Sequence, residues 1–303
     1  MGRLLGKQKY RDLLLGLGLL AAALALVLWP AQAMEAMRDG LKLCGNVMIP
    51  SLFPFFVLSS LVVELGMSRY LGRLLEPVMV PLFRVNGACS AALALGFVGG
   101  YPVGARTAIQ LYQSGQCSRT EAERLLAFCN NCGPAFILGV VGTGLFGSGL
   151  VGLLLYLAHL LSSLIVGLLF RFYKPGQGPR RKDGSPAQFQ TASFPAAFTR
   201  SVTGALQSTL NICAFILFFT VAVRMLTLSG LLSAAAGLLS RLLFPLGLSQ
   251  EWAERLITGV LEVSTGVSSL TDGALSGRMS MAAFMLGWAG LSVHCQVLAF
   301  LGG

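Results

Sequence analysis

Long apolar stretches separated by short polar turns run along almost the whole chain, and their spacing predicts helices. Four apolar runs are long enough to span a bilayer. They cover residues 13–28, 44–65, 148–170 and 202–228, and the second is interrupted by Pro50-Ser-Leu-Phe-Pro54. Segment 70–84 places its apolar residues at helical spacing with charged residues opposite, which predicts a helix at the membrane surface. A second interfacial helix is expected at 231–244.

Four further apolar segments contain residues that an ordinary span avoids. Segment 88–112 holds Gly-Gly-Tyr-Pro-Val-Gly-Ala-Arg, 122–146 holds Asn-Asn-Cys-Gly-Pro, 252–270 holds Glu-Val-Ser-Thr-Gly, and 281–301 holds Gly-Trp-Ala-Gly-Leu-Ser-Val-His-Cys-Gln. Backbone groups freed by a break inside hydrocarbon need another partner. Broken segments therefore often surround a transport site, although a glycine-rich packing kink gives the same pattern.

Composition agrees with a membrane protein. The chain is 55% hydrophobic and 11% charged, whereas soluble domains carry about 25% charged residues. The net charge of +10 comes largely from clusters beside apolar runs, so it indicates membrane orientation and not nucleic-acid binding.

Cys129 and Cys132 form a C-x-x-C without a second pair, which argues against zinc. We expect no metal, no cofactor and no enzymatic activity, because no catalytic signature accompanies the two histidines. His159 is expected to pack or to hydrogen-bond between helices.

The two halves of the chain share an order of elements and a constant spacing. Residues 114–118 (Ser-Gly-Gln-Cys-Ser) match 276–280 (Ser-Gly-Arg-Met-Ser) at an offset of 162 (276 − 114). Gly104 falls on Gly266 at the same offset, and Cys132 falls near Cys295. This pattern predicts an internal duplication, and paired interruptions are a sign of a transporter site.

Charge bias predicts the orientation of the halves. The basic amino terminus and the basic loop 171–200 are both expected on the cytoplasmic side. Five apolar segments lie between them, so one must fail to cross. The prediction is a re-entrant hairpin at 88–112. Three crossings then separate it from a second hairpin at 252–275, which makes the fold an inverted repeat with discontinuous transmembrane helices.

Candidate substrate-binding residues lie in the first hairpin and in the interruption at 130–134 (Asn-Asn-Cys-Gly-Pro), called the first break below. Gly100, Tyr101 and Pro102 form the predicted tip, and Gly104 permits close backbone approach. Arg106 either binds a substrate carboxylate or extends toward the interface. The amides of Asn130 and Asn131 either contact the solute or bond between helices.

The second half supplies candidates for ion coupling. Glu262 is a carboxylate in an apolar run, at the tip of the second predicted hairpin, and intramembrane carboxylates are by default functional. It is expected to bind a coupling proton or Na⁺, or to pair with Arg106. Ser264 and Thr265 complete that substrate site. His294 and Gln296 lie in the last interrupted helix, where a proton relay and simple polar packing are both open.

Three runs carry a family resemblance: PSLFPFFVLSSLV, GGYPVGARTA and EAERLLAFCNNCGPAFILGVVG. They resemble the sporulation integral membrane proteins called YlbJ or SpoVV, which contain the nucleoside-recognition Gate domain, and the resemblance covers about residues 34–301. It implies a protein of the forespore envelope, expected in the outer forespore membrane, that passes dipicolinate toward the spore. The Gate domain is also similar to parts of concentrative nucleoside transporters with paired re-entrant hairpins.

The resulting domain plan has four parts. Residues 1–33 form a signal anchor, with a cleaved signal peptide ending at Ala33 as the alternative. Residues 34–170 form a first Gate-like repeat, 171–200 a basic cytoplasmic loop, and 201–303 a second repeat that looks truncated at its carboxyl end. The expected function is transport of a small anionic solute, with nucleoside transport or a non-transporting envelope scaffold as alternatives. Expected partners are the lipid bilayer, the solute and either a second copy of the chain or spore-envelope proteins.

Overall fold

The computed structural model describes residues 2–174 and 193–301, and all regular elements in these ranges are helical. The predicted all-α membrane class is confirmed. The α-helices are α1 Gly2–Leu28, α2 Pro30–Leu43, α3 Ile49–Glu64, α4 Ser68–Phe83, α5 Ser90–Gly99, α6 Val103–Gln113, α7 Arg119–Leu126, α8 Gly149–Phe170, α9 Phe194–Leu228, α10 Leu231–Leu242, α11 Gln250–Leu261, α12 Val263–Ser268, α13 Leu275–Trp288 and α14 Gly290–Leu301. Cys44–Met48 and Ala135–Leu145 are π-helical, and Gly87–Cys89 and Phe244–Leu246 are 3₁₀ turns.

Three of the four predicted spans are confirmed by length and hydropathy, those at 13–28, 148–170 and 202–228. Among the described residues, four qualify: Tyr10–Leu28, Gly149–Phe170, Phe194–Leu228 and Leu275–Leu301. Two bent helix pairs raise the number to six if each counts as one span. The basic loop is shorter than predicted, because α9 already begins at Phe194. Its central part, 175–192, lies outside the described residues.

The second predicted span differs from the expectation of a simple interruption at its two prolines. The helical segments Pro30–Met48 and Leu52–Glu64 follow each other directly, and their axes are bent by 51°. The bend follows the π-helical turn Cys44–Met48, and Pro50 stands in the first turn of α3. Proline is tolerated there because the first backbone N–H groups of a helix have no partner within the helix. Pro54 then lies within α3 without ending it.

Segment 88–112 forms the expected hairpin. Its arms α5 and α6 contain 10 and 11 residues, or about 15 Å each at 1.5 Å per residue. Neither arm alone crosses a hydrocarbon core of about 30 Å. The arms pack directly on each other, since a Cβ atom added at Gly96 would lie 3.1 Å from the Gly104 Cα. The backbone carbonyl of Cys129 lies against both glycines, so this crossing admits no side chain.

Helix α4 enters this hairpin at a steep angle. It stops at Arg84, which has a left-handed backbone (φ 53°), and the chain turns through 96° into the segment from Gly87. Leu74, Val78 and Leu82 lie four residues apart on its exposed side, while Met79 and Phe83 are buried. Such an apolar outer stripe fits a helix in contact with lipid, as the amphipathic pattern indicates.

A second hairpin in the carboxyl half repeats this construction. Helices α11 and α12 turn at Glu262 and cross so closely that a Cβ atom at Gly266 would lie 2.5 Å from the Gly259 backbone nitrogen. Gly259 corresponds to Gly96 at an offset of 163 (259 − 96), and Gly266 corresponds to Gly104 at 162 (266 − 104).

The residues that lead into each hairpin also correspond. A left-handed residue ends the preceding element in both halves, Arg84 in one and Gly247 in the other. A side-chain N-cap follows each of them, Asn86 before the 3₁₀ turn that leads into α5 and Ser249 before α11. Both pairs are 163 residues apart (247 − 84 and 249 − 86). The matched spacing extends beyond the motifs visible in the sequence.

Two parts of the predicted alignment are wrong beyond the second hairpin. Residues 276–280 are not a polar turn; they lie within α13. The last interruption falls at Ala289, whose backbone is left-handed, and not near Cys295. Helix α12 has 6 residues where α6 has 11, so the elements beyond the second hairpin no longer follow the offset of 162.

Candidate functional site

The tips of both hairpins meet at one small cavity. The cavity has a volume of 60 Å³. Its walls include the first tip at 99–101, the first break at Cys132 and Gly133, and the second tip at Val263 and Ser264. Gly100 contacts the break directly, as a Cβ atom there would lie 2.6 Å from the Gly133 nitrogen. The fold thus brings together the predicted residues Gly100, Tyr101 and Ser264, which are far apart in the sequence.

Each hairpin tip also rests on the break of its own half. In the first half, the backbone of the tip residue Gly100 packs on Gly133 of the break. In the second half, Gly290 of the break packs on the tip residues Glu262 and Val263, and a Cβ atom added at Gly290 would lie 3.0 Å from the Val263 nitrogen. Both glycines at these contacts, Gly100 and Gly290, have positive φ angles. Side chains with a Cβ rarely adopt that conformation. Contact between the backbone of a hairpin tip and the backbone of a helix break therefore occurs in both halves.

Helix α8, which the sequence indicates as a plain span, supports the first hairpin and break with three polar side chains. The Tyr156 hydroxyl donates to the Phe97 carbonyl (3.0 Å), and the Ser163 hydroxyl donates to the Phe128 carbonyl (2.6 Å). Between them, His159 Nε2 accepts from the backbone N–H of Cys132 (2.9 Å). These positions lie on one face of a helix. They satisfy backbone groups that the break leaves without helical partners. The spacing 156, 159 and 163 is the signal that sequence reasoning missed.

Glu262 is the N-cap of α12. Its carboxylate accepts from the backbone N–H groups of Ser264 (3.1 Å) and Thr265 (2.6 Å), and its side chain is 1% exposed. The predicted alternative of an ion pair with Arg106 is wrong, because the described ion pairs include neither residue and the carboxylate is bound to its own helix. A carboxylate at a helix amino terminus is favourable for both hydrogen bonding and the helix dipole.

A larger cavity of 540 Å³ adjoins the small one, and both are lined by Phe136 and Ser264. Its polar lining has many hydroxyl groups, from Thr220, Thr227, Thr258, Ser264, Thr265 and Ser268. Glu35 and Asp39 of α2 add carboxylates, and Arg224 pairs with Glu35 across 3.3 Å. Arg224 thus has a partner at this cavity instead of simply extending to the interface. The predicted residue Thr265 belongs to this cavity.

Arg106 lies outside the lining of both cavities. Its side chain is buried, with 8% exposure, so the alternative of extension to the interface is wrong. The guanidinium stacks over the Phe56 ring at 4.9 Å. Its Nη2 atom would lie 3.4 Å from a Cβ added at Gly204 of α9. Gly104, one of the other predicted site residues, serves the contact between hairpin arms.

The remaining predicted residues lie apart from one another, and most of them make local contacts. Asn131 is buried and donates to the Phe128 carbonyl (2.8 Å), which closes the end of α7, while the Asn130 Oδ1 atom is buried without a partner. His294 is exposed, bonds through Nδ1 to the Gly290 carbonyl (2.7 Å) and stacks on Trp288. Gln296 is buried in α14. Pro102 precedes α6, and its peptide bond with Tyr101 is cis.

These features define an all-α integral membrane protein with two broken-helix hairpins. A family model described as "Gate: Nucleoside recognition" matches residues 47–149, from α3 through the first break. Sporulation integral membrane protein YlbJ of Bacillus subtilis (strain 168) is 36% identical over 290 residues, which covers 90% of this chain and 71% of the relative. The chain belongs to the family of sporulation integral membrane protein YlbJ. No solved structure matches it.

Proposed function

We propose that this protein is a transporter of a small solute that works by alternating access around the two hairpin tips. The observation that carries the proposal is the cavity at which both tips and the first break meet. In transporters built from repeats, the substrate binds near the membrane midplane where broken helices expose unpaired backbone groups. The Tyr101 hydroxyl and Ser264 are polar groups at the tips that line this cavity and are available to a solute.

The proposed route joins the two cavities. The 60 Å³ space at the tips is too small for a solute of several heavy atoms, whereas 540 Å³ is within the range of small-molecule sites. In this proposal, the solute binds first among the hydroxyl groups of the larger cavity. Movement of the second hairpin, whose residue Ser264 belongs to both walls, then admits it to the tips.

Two solute classes are candidates. Dipicolinate is the solute that the family resemblance implies, and in this part of the proposal the protein acts in the outer forespore membrane. A nucleoside is favoured by a specific feature of the larger cavity. Its hydroxyl-rich lining carries two carboxylates and one arginine that is already paired, which suits a neutral hydroxylated solute better than a dianion. Coupling to H⁺ or Na⁺ is part of the proposal in either case.

Uptake into vesicles tests the proposal and separates the solutes. The purified full-length chain is reconstituted, and uptake of labelled dipicolinate and of a nucleoside is measured. We expect uptake of one of them, reduced about tenfold in Thr265→Val because one hydrogen bond to the solute is lost. Thr199→Val is the matched control, since Thr199 is exposed on α9 and bonds only to its own helix.

The contrary result is equally specific. If neither solute accumulates while the protein still recruits spore-envelope proteins, the scaffold alternative replaces the transporter. If uptake occurs but Thr265→Val and Thr199→Val behave alike, the solute does not pass through the larger cavity.

Inverted orientation of the two hairpins is also part of this proposal, supported by the matched landmarks at offsets of 162 and 163. Gln113 lies at the end of the first hairpin, and Ala274 lies just beyond the second; both are exposed. In sealed, oriented vesicles, an impermeant thiol reagent is expected to label Gln113→Cys from one side and Ala274→Cys from the other. The native cysteines described are buried or half-buried, which limits background labelling. Labelling of both sites from the same side would contradict inversion.

A further inference from the structure

Arg106 differs from the other strongly buried arginines of the described residues. Arg124 donates to the carbonyls of Tyr173, Lys174 and Arg84, and Arg255 pairs with Glu251 and Asp272. Arg106 Nη1 has no hydrogen-bond partner. An unpaired buried charge is strongly unfavourable, as it is in an ion pair that has lost one partner. The cation–π contact with the Phe56 ring offsets only part of that cost.

Other buried polar atoms without partners occur on α6, α9 and α14. Gln110 Oε1 lies one turn further along α6, Ser201 Oγ lies one turn before Gly204 on α9, and Ser292 Oγ lies on α14. Helix α14 packs against both α6 and α9. The two serine side chains are each 1% exposed. Most buried polar groups in folded proteins have partners, so unpartnered atoms on α14 and on the two helices it packs against are candidates for binding one shared ligand.

We propose that Arg106, Ser201 and Ser292 form an anion-binding site between the two halves, separate from the cavities at the hairpin tips. The guanidinium and two hydroxyl groups donate hydrogen bonds, and the Phe56 ring covers the arginine on one face. Helices α3 and α6 belong to the first half, and α9 and α14 belong to the second. An anion held here balances the buried charge and links the halves. The proposed ligand is a small group with one negative charge, either a halide ion or a carboxylate.

The site does not depend on the transport proposal, so it is tested by binding to the solubilised full chain. Thermal unfolding is followed in a low-salt zwitterionic buffer while chloride, acetate or dipicolinate is added, and Arg106→Gln under the same additions shows the effect of ionic strength alone. We expect a saturable rise in Tm, since a ligand that binds only the folded state stabilises it. The response to chloride identifies a halide site, and a response to acetate or dipicolinate alone identifies a carboxylate site.

Substitutions connect the response to Arg106. In Arg106→Gln the anion response is expected to disappear, and in Arg106→Lys the affinity is expected to fall about tenfold because the charge stays and the planar fork is lost. Arg200→Gln is the matched control, since it removes one positive charge from an exposed pair with Glu64. Its response is expected to equal that of the wild type.

A second variant keeps the test decisive if Arg106→Gln does not fold. Ser292→Ala removes one donor and little volume, and it is expected to weaken anion affinity about tenfold, the equivalent of one hydrogen bond. The proposal is overturned if no anion raises the Tm of the wild type. It is also overturned if Arg106→Lys and Ser292→Ala both keep the wild-type affinity.

Discussion

Gly104→Ala is expected to reduce the free energy of unfolding by about 3 kcal/mol, the upper end for overpacking in a core. The added Cβ would lie 2.8 Å from the Cys129 carbonyl carbon and 2.9 Å from the Gly96 Cα, and closer still to the Cys129 oxygen. All three are backbone atoms, so no side-chain rotation relieves the clash. The hairpin arms must separate from each other and from the first break. Unfolding in mixed micelles and the yield of monodisperse protein measure the effect.

The control for this substitution is Gly287→Ala in α13. A Cβ atom added there has no neighbour within 4 Å. Alanine favours a helix interior over glycine by about 1 kcal/mol, so this variant is expected to be as stable as the wild type or slightly more stable. If Gly104→Ala and Gly287→Ala unfold at the same denaturant concentration, the close packing of α5, α6 and the Cys129 carbonyl is wrong.

Glu262→Ala is expected to lower stability by about 3 kcal/mol, because two buried backbone N–H groups lose their acceptor. These are the N–H groups of Ser264 and Thr265 at the start of a helix of only 6 residues. Glu262→Gln keeps one carbonyl oxygen as an acceptor, so its stability should lie between wild type and Glu262→Ala. Unfolding of the three proteins under the same conditions gives the order.

Ser249→Ala provides a matched N-cap control for Glu262. Ser249 caps α11 through a bond from the Trp252 N–H (3.4 Å), but it is exposed, so water can replace the lost acceptor. Its loss is expected to cost about 1 kcal/mol or less. If Ser249→Ala and Glu262→Ala lower stability equally, burial does not determine how much stability is lost with an N-cap. Wild-type stability in Glu262→Gln combined with lost uptake would instead favour the ion-coupling role.

Much of the architecture around the site could be predicted from local chemistry. Gly99 through Pro102 cannot continue a helix, and Gly133 and Pro134 interrupt another, so the breaks follow from the backbone properties of these residues. The hairpin turn at Glu262 was predicted at the correct residue. The second half was aligned incorrectly beyond Gly266 because the shortening of α12 leaves no mark in composition; only the position of the left-handed Ala289 reveals it.

The partners of individual polar side chains could not be predicted. Glu262 was predicted to bind a coupling ion or to pair with Arg106, yet the turn places its own helix amino terminus against it. For His159 a hydrogen bond between segments was predicted, but not its partner, the N–H of Cys132, 27 residues earlier in the chain. Such roles depend on which backbone groups another segment leaves unpaired, and that is a property of packing between distant segments.

The sequence by itself determined the membrane class and the breaks at 100–102 and 133–134, because hydrophobic length, glycine and proline act locally along the chain. Tertiary structure alone decided that both tips meet at one cavity, that α8 supports the first break, and that Arg106 is buried beside Phe56 away from that cavity. Burial and hydrogen bonding between segments far apart in the sequence depend on how the helices cross. Those crossings are set at the backbone contacts of Gly96 with Gly104 and of Gly259 with Gly266.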